Sequence, residues 1–78
     1  DKYTEVADLS LSATIQYLGF PVIALNRDPR ESPKVSFIFE KSDKLDDSIN
    51  KYWQGLTNVE PRAFSNIVRE LKTRVKTS

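Results

Sequence analysis

Seventy-eight residues hold one small domain, and the absence of Cys and His removes disulfides, thiolate metal sites and the commonest general base. The net charge is only +1, yet residues 1–60 carry seven Lys/Arg against ten Asp/Glu, while residues 61–78 carry five against one. Such a basic tail segment points to an anionic partner, unless its cations merely complement the C-terminal end of a helix dipole.

Residues 1–7 are short and mixed, with Tyr3 and Val6 as the sizeable apolar residues. They either fray or add a short edge strand. From Asp8, a good N-cap, Leu11, Ile15 and Leu18 fall at i, i+4 and i+7, the spacing of one helical face. Leu9, Leu11, Ala13, Ile15 and Tyr17 also alternate as a strand would. Gly19 in the C′ position and Pro21 close behind decide for a helix.

Phe20 to Asn26 is an apolar run led by Pro21 and too short for a helix, so a largely buried strand is expected. Asn26 to Pro33 collects turn residues and charges and reads as a loop. Lys34 to Glu40 reads as a second strand, with Val35, Phe37 and Phe39 on one face and Ser36, Ile38 and Glu40 on the other. The two strands are expected to form an antiparallel hairpin.

Ser42 opens the next helix, whose first turns hold Asp43, Asp46 and Asp47, where negative charge suits the dipole. Leu45, Ile49, Tyr52, Trp53 and Leu56 form its expected apolar face, and Gly55 ends it. Pro61 then sits at the first position of a last helix. With Glu60 as cap, Val59 and Phe64 occupy the two places of a hydrophobic staple. At roughly 100° per residue, Phe64, Ile67, Val68, Leu71 and Val75 form one stripe, with Arg62, Arg69, Lys72 and Lys76 nearly opposite.

The expected fold is therefore α+β, an antiparallel hairpin packed against three helices in the order α-β-β-α-α. The helices should cover the Val35/Phe37/Phe39 face. The chain begins at Asp1 and contains no Met, so it is expected to be a piece of something longer. No apolar run approaches the ~20 residues of a membrane span, and no signal-peptide pattern opens the chain. A cytoplasmic, intracellular setting is expected.

The motifs Tyr3-Thr4, Asp8-Leu9, Leu18-Gly19-Phe20, Phe37-Ile38-Phe39-Glu40, Tyr52-Trp53-Gln54-Gly55, Val59-Glu60-Pro61 and Leu71-Lys72 follow one another along most of the chain. In this order the sequence resembles a family of small prokaryotic and phage-encoded domains of unknown function. The resemblance implies a helix–hairpin–helix–helix domain and no activity. Where such domains tend to carry Asp, this chain has Glu60.

Catalytic chemistry finds little to stand on. Two glycines exclude a GxGxxG or Walker loop, and serines without His or Cys lack a familiar activating base. Glu40, Asp43, Asp46 and Asp47 are the nearest approach to a metal site, but first-turn dipole complementation already accounts for them. No enzyme activity, metal or cofactor is expected. Two binding readings stand open. One is a nucleic-acid-associated accessory domain using Arg62, Arg69, Lys72 and Lys76, with Arg27, Arg30 or Lys34 as extensions. The other is a protein-interaction or dimerisation module using an open sheet face of Ile38, Val22 and Ala24 and the free strand edge. The aromatic residues Phe37, Phe39, Phe64, Tyr52 and Trp53 lie at core spacing.

Overall fold

The structure, a computed structural model, describes residues 2–27 and 35–77. Its elements are β1 (Tyr3–Val6), α1 (Leu9–Tyr17), β2 (Ala24–Arg27), β3 (Val35–Glu40), α2 (Asp43–Trp53) and α3 (Pro61–Thr77). This is a small α+β fold, a three-stranded antiparallel sheet in the order β1-β3-β2 together with three helices. The hairpin and helices follow the expected order, and the opening residues add the edge strand β1.

The middle strand β3 sets the two faces of the sheet. Val6 and Leu25 stand opposite Phe37, Thr4 opposite Phe39 and Arg27 opposite Val35, so these residues share the inner face. Phe37 and Phe39 are buried there, joined in the core by Leu11, Ile15, Leu45 and Leu71.

The first helix packs against α3, α2 and β1, and every residue from Leu11 to Ile15 is buried. A helix enclosed on all sides shows no amphipathic period, which explains why its sequence also alternates like a strand. The Ser12 and Thr14 hydroxyls donate to the Asp8 and Ser10 carbonyls, each at 2.8 Å, so their burial leaves no donor unmet. The Asp8 carboxylate accepts from the Leu11 N–H at 3.0 Å and caps the start. At the other end the Gly19 N–H reaches the Gln16 carbonyl at 3.0 Å and the Phe20 N–H reaches Ile15 at 3.2 Å. This is a Schellman closure, and Gly19 adopts the φ of 105° that it needs. Leu18, expected on the apolar face, is the C-cap and exposed, because the helix has already ended there.

The expected strand from Phe20 shortens to Ala24–Arg27. Phe20 belongs to the helix closure and Pro21 has no N–H to donate; pairing begins where the Ile23 N–H donates to the Ile38 carbonyl at 2.9 Å. As an edge strand β2 is not buried on both faces: Ala24 and Asn26 are exposed and Leu25 is half-buried. Of the expected loop from Asn26 to Pro33, Asn26 and Arg27 belong instead to β2, where they pair with Ser36 and Val35. Residues 28–33, and Lys34 at the head of the next expected strand, lie outside the described residues.

Ser42 caps α2, accepting from the Leu45 N–H at 3.1 Å. The helix closes as α1 does, with the Leu56 N–H on the Lys51 carbonyl at 3.0 Å and Gly55 at a φ of 73°. Leu45 is fully buried, with Ile49 and Tyr52 packed beside it. Trp53 and Leu56, expected in the same face, stand out of the core at 65% and 64% exposure. Trp53 lies at the edge of the narrow stripe that α2 presents, its ring edge-on to Tyr52 at 5.1 Å. Leu56 follows the Gly55 turn and has left the helix axis.

Glu60 caps α3 despite its extra methylene: its carboxylate accepts from the Ala63 N–H at 2.7 Å. Its own N–H donates to the Tyr17 hydroxyl at 3.1 Å, tying the start of α3 to the end of α1. Val59 and Phe64 are both half-buried at the staple positions.

Two stability outcomes follow from this arrangement. Gly19→Ala should cost about 1–2 kcal/mol, the penalty for a side chain at positive φ, read from the urea midpoint at unchanged slope. Leu45→Ala should cost about 2–5 kcal/mol as a core truncation. Trp53→Ala should move the same midpoint far less.

Candidate functional site

The apolar side of α3 packs inward through Leu71, flanked by Phe64, Ile67, Val68 and Val75. Geometry then leaves Arg62, Arg69, Lys72 and Lys76 on the outside, and all four are exposed. Among the described residues none of them forms an ion pair; the two salt bridges there are Lys41–Asp46 and Lys51–Asp47. At 1.5 Å per residue the stripe runs about 21 Å.

The stripe divides into two halves with different surroundings. Arg62 and Arg69 border a shallow depression of about 290 Å³ shared with Pro61, Ser65 and Asn66. Lys72 and Lys76 stand over an open groove of about 300 Å³ whose other described lining residues are Ala7, Leu9, Val35, Phe37 and Val75. The Arg27 guanidinium reaches the same end of the helix and donates to the Val75 carbonyl, a placement the helix dipole favours. Of the loop cations expected to extend the patch, Arg27 therefore arrives at α3, while Arg30 and Lys34 lie outside the described residues.

The expected sheet-face patch of Ile38, Val22 and Ala24 is not assembled. Val22 is a core residue at 9% exposure. It precedes β2, so the strand alternation that would have put it beside Ala24 does not reach it. Ala24 stands opposite Ile38 on the outer face, but Ile38 is half-buried. The Asn26 amide donates to the Glu5 carboxylate at 2.7 Å. These two residues sit on the strands flanking β3, so their bond passes over the middle strand beside Ile38.

The acidic residues near α2 do not converge. Asp46 lies 3.5 Å from Lys41 and Asp47 lies 3.2 Å from Lys51. Among the described residues no three acidic side chains gather as a cation site would require. No described helix is long and apolar enough to cross a membrane.

Sequence reasoning located the basic stripe, because it lies on one regular helix. It missed the apolar groove, which draws on α3, β3, the start of α1 and the residue after β1. No local pattern in the sequence marks that convergence.

A family model described as a domain of unknown function, DUF5659, matches residues 1–77, and the chain belongs to that family. No curated protein and no solved structure matches it.

Because Arg62 and Arg69 are exposed and unpaired among the described residues, the double variant Arg62→Glu/Arg69→Glu should unfold within about 0.5 kcal/mol of the parent. Chemical denaturation followed by circular dichroism measures this. A clearly larger loss would make the two arginines part of the fold.

Proposed function

We propose that the domain is a non-enzymatic binding module that lays the basic face of α3 along a nucleic-acid backbone. Arg62, Arg69, Lys72 and Lys76 supply the contacts. The reading rests chiefly on where the cations stand within the helix. Arg74 and Lys76 lie in the last turn, where the dipole itself favours positive charge. Arg62 lies in the first turn, which contains no acidic residue, and there the dipole opposes a cation. Helix stability accounts for one end of the stripe and not for the other. An external polyanion accounts for both.

Charges of this kind grip phosphates and carry little base readout, so binding with low sequence specificity is the form of the proposal, in a cytoplasmic setting. The alternative, interaction or dimerisation through the sheet face, keeps only exposed Ala24 and half-buried Ile38 of its three residues. It draws less support than α3.

Titration of labelled duplex and single-stranded oligonucleotides across a salt series tests the proposal. If all four cations meet phosphates, log K should fall against log[salt] with a slope of about −3 to −4. Arg69→Glu with Lys72→Glu should remove binding without shifting the unfolding midpoint. No binding at low salt would end this reading.

A further inference from the structure

We propose that the groove beneath Lys72 and Lys76 accepts an aliphatic side chain of a partner peptide, with neighbouring carboxylates of that peptide pairing to the two lysines. The inference is separate from the nucleic-acid reading and shares with it only these two residues.

At this groove the core stays open among the described residues. Phe37 forms its floor at 2% exposure, and Leu9, Val35 and Val75 are half-buried around it. Among the described residues no polar side chain apart from the two lysines lines it, and no carboxylate does. Lys72 and Lys76 are one turn apart, about 6 Å along the axis, and neither has an ion-pair partner among the described residues. An apolar slot beneath two ammonium groups that no described carboxylate pairs with is complementary to an apolar group flanked by negative charge.

Three ligand chemistries meet that description, and the shape of the groove separates them. A nucleobase needs an exposed aromatic face to stack on, whereas Phe37 is the aromatic residue here and is almost wholly covered. A free alkyl acid needs most of its surface enclosed, and this is an open groove. A peptide inserts only the end of one side chain while its backbone stays in water, which matches a groove of about 300 Å³. Apolar anchors set among charges that fix orientation are an ordinary form of peptide recognition.

The probe is a synthetic hexapeptide with two central leucines between acidic residues, titrated into the isotope-labelled chain and followed by NMR. Saturable shifts should centre on Leu9, Val35 and Val75. Replacing the leucines by serine at equal charge should weaken binding about tenfold or more, and Lys72→Glu with Lys76→Glu should do the same. Ala7→Trp, which fills the groove from its exposed rim, should also remove binding. Arg62→Glu with Arg69→Glu should leave it intact while weakening any oligonucleotide binding. The proposal is overturned if the serine peptide binds as well as the leucine peptide. It is equally overturned if no shifts appear at millimolar peptide, or if oligothymidylate shifts the groove residues and the leucine peptide does not.

Discussion

The enclosure of the middle of α1, from Leu11 to Ile15, is the constraint on which the rest of this domain depends. A helix from Leu9 to Tyr17 is too short to persist in water by itself, so packing must hold it. Its middle is buried on every side, which demands cover from the sheet and from both later helices. The burial is tolerable because Ser12 and Thr14 turn their hydroxyls back onto their own helix. Were either left without an acceptor, an unmet buried polar group would cost about 1–3 kcal/mol, a large share of a small domain's stability. Fixing α1 also fixes α3, through the inward Leu71 and the Tyr17–Glu60 hydrogen bond. The outward direction of the basic stripe follows from that.

Legibility from sequence tracked how one-sided each element is. The two later helices each have a single buried stripe, so period and N-cap, with Gly55 closing α2, agreed on their course. The enclosed helix α1 has no such stripe, and only Gly19 and Pro21 separated it from a strand. The segment after Gly19 misled for a different reason. Val22 and Ala24 share a parity, but parity holds only inside a strand, and Val22 precedes the first paired residue. Trp53 and Leu56 were placed inside by spacing, which fixes a direction around a helix but not how wide a face its neighbours cover.

The candidate surfaces divide in the same way. The cations of α3 could be grouped because one helix carries all four. The outer face of the sheet could not be judged, since its character depends on β1 lying against β3. That pairing lets Glu5 and Asn26 meet across the middle strand, and it replaces an expected apolar patch with a polar bridge. The groove beneath Lys72 and Lys76 is further from reach still, being made where four separate segments stop short of one another.

The two outer helices use the same i, i+4 spacing to opposite ends. On α2, Asp47 and Lys51 pair at 3.2 Å, a contact that supports an isolated helix by a few tenths of a kcal/mol. On α3 the same spacing sets Lys72 against Lys76, and Arg69 stands one turn before Lys72. Like charges so placed destabilise a helix by similar amounts. The sequence carries enough acid to neutralise these positions, yet those described as paired serve Lys41 and Lys51. Among the described residues no carboxylate pairs with this row, so its repulsion is a cost that a bound anion would relieve. Any ligand neutralising the stripe should therefore raise stability by more than its contacts alone would give.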